Sequence, residues 1–260
     1  MMTRGKVIFV GAGPGDVELI TVKGMKAIQQ ADVIFYDSLV DRSLLDGVKA
    51  QLMYVGKRRG MHSTVQDEIN RLLANQAHKG KLVVRLKGGD CSVLGRLGEE
   101  LLHLTEENIP FEIIPGVTSA TAAPVFAGIP VTHRGMADSF AVVTAHRQSD
   151  ELEVSAPPYN PSTTLVLLMA LSTTPVWQKR LLELGYPTDL PVAYISSGGT
   201  SKQKVLVTTL GEATQAVEAA QLPTPALAVA GQVVTLRETL RWFDLDEEAA
   251  SQNMEAGGEV

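Results

Sequence analysis

The sequence predicts an α/β fold in two parts, a mainly parallel sheet followed by a mixed one. Three observations lead there. Short β-branched runs alternate with segments of helical period through the first 114 residues, which is the signature of βαβ units. Pro115-Gly116 then punctuates the chain. Beyond it, Ser196 to Ser201 joins two strand-like runs directly, a connection too short for a parallel crossover and suited to antiparallel pairing. The expected domains are 1–115 and 116–246, with 247–260 as a flexible acidic tail.

Each element has its own signal. Lys6–Val10 reads as a buried strand. Thr21–Ala31 has helical spacing, with Val22, Met25, Ala27 and Ile28 on one face and Thr21 as its N-cap. Val33–Tyr36 is a second strand, Leu44–Val48 a helical segment and Leu52–Val55 a third strand. Val65–Lys79 is a helix turning Ile69, Leu72, Leu73 and Ala77 inward. Leu82–Lys87, a helix over Glu99–Glu107, and Phe111–Ile114 complete the first part. The second part opens with a helix over Ser119–Ala127. Strands follow at Phe140–Thr144, Thr164–Met169, Val192–Ile195, Lys204–Thr208 and Ala226–Ala230. Helices lie at Thr174–Leu184, Gly211–Ala220 and Leu236–Trp242. No internal repeat is present.

Composition narrows the function classes. Of 260 residues, 45% are apolar and 20% charged, the balance of a globular protein rather than a disordered one. No apolar run is long enough for a membrane span. The opening apolar run is too short for a signal peptide core, so a cytoplasmic protein is expected. A net charge of −6 argues against a nucleic-acid surface. The single cysteine, Cys91, has no base beside it in sequence to activate it. His62, His133 and His146 lack metal-ligand spacing, so no metal is expected.

Two glycine turns end strands of the first part. Gly11-Ala12-Gly13-Pro14-Gly15-Asp16 approaches the dinucleotide fingerprint, with Asp37 where a ribose-binding acid would sit. Residue 16 is Asp where the third glycine belongs, and Pro14 removes an amide that would face a pyrophosphate. The turn suits a ligand carrying adenosine and an amino acid without a pyrophosphate, such as S-adenosylmethionine. Gly88-Gly89-Asp90 reads equally as turn chemistry or as backbone cleared for a ligand. Asp37 reads as a helix-capping acid or a site carboxylate. The Lys57-Arg58-Arg59 run is a solvated loop or a carboxylate-binding one, and Arg85, Lys87, Arg96, Arg134 and Arg147 extend the second option. Met169, in the run Leu165 to Leu171, is by burial habit a core residue. Thr118-Ser119 reads as an N-cap or as ligand-binding hydroxyls and amides.

Several stretches, in order, resemble the tetrapyrrole methyltransferases: VGAGPGD at 10–16, ITVKG at 20–24, ADVIFYDSLV at 31–40, VGKRRG at 55–60, VVRLKGGD at 83–90, GEE at 98–100 and IPGVTSATAAPVFAGIPVTHRG at 114–135. Downstream the likeness is thinner, around Met169, Gly198 and 222–234. The resemblance implies a two-domain α/β fold, usually a homodimer, with S-adenosylmethionine in a cleft between the domains. It implies methylation of uroporphyrinogen III, a tetrapyrrole polycarboxylate, at two ring carbons to give precorrin-2 for sirohaem or cobalamin synthesis. On the matching positions, Pro14, Gly88, Gly89, Asp90, Val93, Thr118, Ser119, Met169, Gly198 and Ala226 would line the cofactor. Asp37 would be the proton acceptor and Lys57 the proton donor. No membrane or nucleic-acid partner is implied.

The chain departs from the family where Cys91-Ser92 stands for Pro-Phe, and at Leu94, Leu97 and Ala170. With no proline at 91, the loop is expected to be looser in the free state. Two further readings stay open: a methyltransferase of the same fold acting on a later precorrin, and a non-catalytic sensor of S-adenosylmethionine or tetrapyrrole. The pair Asp37 and Lys57 weighs against the sensor, since binding alone needs neither.

Overall fold

Strands that alternate with helices bury both faces of their sheet, as Lys6–Gly11, Val33–Tyr36 and Leu82–Lys87 do, while the edge strands Gln51–Tyr54 and Phe111–Ile114 stay partly exposed. In the structure, a computed structural model describing residues 5–56, 66–145 and 154–243, the chain divides into two compact units, Met1–Ser119 and Ala120–Val260. The expected acidic tail, 247–260, lies outside the described residues.

The first unit runs β1 (Lys6–Gly11), α1 (Val22–Gln30), β2 (Val33–Tyr36), β3 (Gln51–Tyr54), α2 (Gln66–His78), β4 (Leu82–Lys87), α3 (Leu97–Glu106) and β5 (Phe111–Ile114). The strands form one sheet in the order β3-β2-β4-β1-β5, every neighbouring pair parallel. Alternate residues feed two cores. Ile8, Val10, Ile34, Val84 and Leu86 pack with Ala27 and Ile28 of α1. Val7, Phe9, Val33, Phe35 and Val83 pack with Leu73 and Ala77 of α2 and Leu97 and Leu104 of α3. Thr21 caps α1 as expected, its hydroxyl accepting from the Gly24 amide at 3.0 Å.

The second unit carries α4 (Ser119–Phe126, whose first residue closes the first unit), β6 (Ser139–Thr144), β7 (Thr163–Leu168), α5 (Thr174–Glu183), β8 (Pro191–Ser196), β9 (Lys204–Thr209), α6 (Ala213–Ala220), β10 (Ala226–Ala230) and the short α7 (Arg237–Leu240). Its sheet order is β6-β7-β10-β8-β9. Only β6 and β7 pair in parallel; the other neighbours are antiparallel, so this sheet is mixed. Trp177 and Tyr194 are fully buried on one face of it, and Ile129 and Val229 on the other.

Some boundaries differ from those the periodicity suggests. Leu44–Val48 is not a helix; a 3-10 turn over Arg42–Leu45 takes its place, started by Asp41, whose carboxylate accepts from the Ser43 amide. Between Gln232 and Leu240 the chain first makes a 3-10 turn and only then one α turn. Helix α3 begins at Leu97, two residues early, because Arg96 turns the chain with φ +56°. Strand β7 ends at Leu168, one residue before the expected Met169.

Helix α3 offers a direct test of which face is core. Leu104 is fully buried and Leu102 is 67% exposed. Leu104→Ala is expected to cost about 2–5 kcal/mol and Leu102→Ala less than about 0.5 kcal/mol, both read by urea denaturation.

Candidate active site

In open parallel sheets, ligands bind beyond the carboxyl ends of strands where successive connections leave for opposite faces. Here β1 and β4 are neighbours, and the helices that follow them, α1 and α3, cover opposite faces. The loops leaving these two strands are Gly11–Asp16 and Gly88–Asp90. The sequence singles out the same two loops for their glycines.

The loops interlock through their backbones. The Gly13 amide donates to the Gly89 carbonyl at 3.2 Å, and the Gly89 amide donates to the Gly13 carbonyl at 2.7 Å. The Ala12 amide donates to Lys87 O at 2.8 Å. These amides are therefore committed to one another and do not face a pyrophosphate, in keeping with the broken fingerprint. A third segment joins them. A Cβ on Gly116 would stand 2.4 Å from Gly89 O and 2.7 Å from Gly11 Cα, closer than any side chain allows. Gly89, at φ +67°, lies next to the start of α4: a Cβ there would be 3.7 Å from Ser119 N and 4.0 Å from Thr118 Cα. Pro14, Gly88, Gly89, Asp90, Thr118 and Ser119 thus gather at one edge of the first sheet. An edge whose Gly13, Gly89 and Gly116 amides are already paired, and whose one carboxylate is Asp90, suits the adenosine and amino-acid parts of S-adenosylmethionine better than a pyrophosphate.

Asp90 is the clasp of this edge. One carboxylate oxygen accepts from the Ser92 amide at 2.8 Å and the Ser92 hydroxyl at 2.5 Å; the other accepts from the Gly116 amide at 2.9 Å. Burial works to raise its pKa, but the bonds from Ser92, Gly116 and Val93 outweigh it and hold the carboxyl below the usual carboxylate range. Cys91 is fully buried against α3, and burial pushes its thiol up to about 12. A thiol so protonated is no nucleophile. Val93 is half-buried in the same loop. Leu94 and Arg96 flank Gly95 with φ +52° and +56°.

Asp37 sits one step past β2, on the face that carries Phe35 and, on β4, Arg85. The sequence leaves it as a helix cap or a site carboxylate. No helix begins here, since the next helical turn is Arg42–Leu45 with Asp41 as its cap, and Asp37 instead braces the turn after β2. Oδ1 accepts from the Leu39 amide at 3.0 Å, and Oδ2 accepts from Arg85 Nη2 at 3.3 Å. The Leu39 it braces touches Gly88, whose added Cβ would be 2.6 Å from Leu39 Cβ. The Asp37 loop and the Gly88–Asp90 loop are therefore in contact.

Arg85 and Lys87 are not a carboxylate-binding surface. Both are buried, and both are spent on Glu100 of α3: Arg85 Nε donates to Oε1 at 3.2 Å and Lys87 Nζ to Oε2 at 2.5 Å. Burial lowers the Lys87 pKa, Glu100 opposes this and Arg85 adds to it. Arg96 is exposed and forms a two-pronged pair with Glu99 at 2.8 and 2.5 Å; Arg134 is exposed. Lys57, Arg58, Arg59, His62, His146 and Arg147 lie outside the described residues. Sequence reasoning misses Glu100, but a signal was there. Glu100 lies on the inward stripe of α3 between Leu97 and Leu104, opposite a buried strand bearing two cations. A charge on a core stripe calls for a buried partner.

In the second unit, Met169 is not a core residue as its apolar run suggests. It is 48% exposed and turns the chain with φ +59°, a conformation rare for such a side chain. Ser197 is similarly turned at φ +49°, and Gly198 packs so tightly on α4 that a Cβ would lie 2.6 Å from that of Ala123. Ala226 pairs with Ser196 at the head of β10. Among the described residues, no group of His, Cys, Asp or Glu is placed to hold a metal, and no helix is long and apolar enough to cross a membrane.

Gly116→Ala forces carbon into the backbone crossing and is expected to cost about 1–3 kcal/mol. Gly98→Ala, in a helix with nothing within 4 Å, is expected to gain up to about 1 kcal/mol; thermal denaturation separates the two. Asp90 also predicts a pH dependence. Its folded pKa is depressed, so its contribution is present above the ordinary value of 3.8 and lost as pH falls through the lower folded value. The stability gap between the unaltered chain and Asp90→Asn should therefore close as pH drops below about 4.

Comparisons with known proteins identify the family. Residues 6–214 match the family model of the tetrapyrrole (corrin/porphyrin) methylases. A uroporphyrinogen-III C-methyltransferase of Methanocaldococcus jannaschii is 49% identical over 240 residues, covering 90% of this chain and 99% of the relative. A siroheme synthase of Pseudoalteromonas atlantica is 43% identical over 94% of this chain, which spans about half of that longer protein (53%). A crystal structure of a uroporphyrin-III C-methyl transferase from Thermus thermophilus, complexed with S-adenyl homocysteine, superposes with a TM-score of 0.76 at 37% identity, over 89% of this chain and 99% of the other. The chain belongs to the tetrapyrrole methylases.

Proposed function

We propose that this chain transfers methyl groups from S-adenosylmethionine to two ring carbons of uroporphyrinogen III, giving precorrin-2 for sirohaem or cobalamin synthesis. The observation that carries the reading is the carboxylate of Asp37, held by Arg85 and the Leu39 amide against the interlocked glycine loops. S-Adenosylmethionine, when bound, supplies a methyl group on a sulfonium, so its leaving group is already activated and no metal is called for. Pro14, Gly88, Gly89, Asp90, Val93, Thr118 and Ser119 are the proposed cofactor residues of the first unit. Met169, Gly198 and Ala226 are those of the second, on the strength of their motif positions and, for Met169, of its exposed and turned backbone.

Attack by a pyrrole carbon leaves the ring system one proton in excess, and a base must remove it. Asp37 is proposed as that base, since its orientation is fixed before the substrate arrives. Lys57 is proposed as the proton donor, from its place in the VGKRRG motif. Arg58 and Arg59 beside it are suited to pair with substrate carboxylates. The reading further takes the protein as a cytoplasmic homodimer acting on a free tetrapyrrole, with neither nucleic acid nor membrane as partner. The names of its relatives support the tetrapyrrole substrate, and a net charge of −6 weighs against nucleic acid.

The test is anaerobic incubation with uroporphyrinogen III and methyl-labelled S-adenosylmethionine. Two labels on the macrocycle are expected. Labelling only of a later precorrin, or cofactor binding without turnover on any tetrapyrrole, would replace this reading by another methylation step or by a sensor. Asp37→Asn should lower kcat about 100-fold or more while leaving S-adenosylhomocysteine affinity nearly unchanged. A loss of binding alone would remove Asp37 from the role of base.

A further inference from the structure

Glu100 is fully buried on the sheet-facing side of α3. Its two oxygens hold two different cations, Arg85 Nε on Oε1 and Lys87 Nζ on Oε2. Arg85 Nη1 in turn donates to the Leu86 carbonyl at 3.0 Å. A planar guanidinium fixed at Nε and Nη1 has no rotation left, and its remaining nitrogen is aimed by the other two. That nitrogen, Nη2, meets Asp37 Oδ2 at 3.3 Å.

We propose that Glu100 is a positioning residue for the reaction: it fixes the Arg85 guanidinium, which in turn fixes the Asp37 carboxylate at the edge of the site. The proposal rests on the reading of Asp37 as the base. Glu100 touches no reacting atom, being closed off from solvent. It also gives the two buried cations a carboxylate of their own. Without it, Asp37 would be the one carboxylate holding Arg85 in this network, and the Arg85 Nε would lose its anchor. Lys87 closes the arrangement by holding the second oxygen of Glu100, so that the carboxylate cannot swing away from Arg85.

Glu100→Gln keeps the shape and removes the charge. It is expected to lower kcat about 10- to 100-fold, with the KM for uroporphyrinogen III and the affinity for S-adenosylhomocysteine within about twofold. The decisive comparison is a double-mutant cycle. If Glu100 acts through Asp37, then Asp37→Asn combined with Glu100→Gln loses no more activity than Asp37→Asn alone. Losses that multiply, or an unchanged kcat in Glu100→Gln, would overturn the proposal. Should Glu100→Gln fail to fold, Glu100→Asp takes its place in the cycle, because it keeps the charge while its shorter side chain cannot reach both Arg85 Nε and Lys87 Nζ; the same two outcomes decide. If the unaltered chain methylates no tetrapyrrole, the functional reading fails separately. A crystal structure of the folded variant then decides: Asp37 displaced from residue 85 supports the coupling, and Asp37 unmoved ends it.

Discussion

The first unit depends on a set of charges inside its core. Arg85, Lys87 and Glu100 are all buried, and Asp37 joins them from the edge. Two cations meet two anions, so no charge is left alone in a medium where an isolated one is costly. Such a network adds little net stability compared with apolar packing, yet removing one member costs about 3–5 kcal/mol because its partner is stranded. That asymmetry locks β2, β4 and α3 into one relation. Apolar contacts alone tolerate sliding and repacking; a guanidinium bonded at three nitrogens does not.

The network and the glycine crossing divide the work of building the site. At the crossing, Gly11 and Gly116 meet in backbone contact against the Gly89 carbonyl, where no side chain fits at either, and Gly89 itself turns with φ +67°. Asp90 closes it by bonding the Gly116 amide and Ser92. The result is a cradle of fixed, neutral backbone. On its flank the charged network presents a single oriented carboxylate. On the proposed function, backbone walls at the cofactor and one placed acid for the proton suit carbon methylation from a sulfonium, since the donor brings its own leaving group.

The Cys91-Ser92 departure from the family pattern gains a physical meaning from this geometry. Cys91 fills the core beneath the loop as a small protonated thiol, and Ser92 turns outward to bond Asp90 twice. The hydroxyl bond to the clasp thus occurs where the family resemblance implies an aromatic. The left-handed residues Leu94 and Arg96 give the loop its sharp return into α3.

By itself the sequence determined the alternation of strands and helices, the mixed second sheet and the two glycine loops, because periodicity and turn chemistry are local properties. It determined the family through the order of its motifs, and two residues, Pro14 and Asp16, weighed against a phosphate fingerprint. Its single-turn elements were misjudged, since Leu44–Val48 and the chain before Leu240 are too short for a period to settle. Only the tertiary structure decided the fate of the charges. From the chain, Arg85 and Lys87 look like surface cations awaiting a polycarboxylate, and Glu100 like an ordinary acid at a helix start. Only when α3 folds over β4 do they meet, because a buried ion pair depends on which residues share an interior, and spacing along the chain does not carry that.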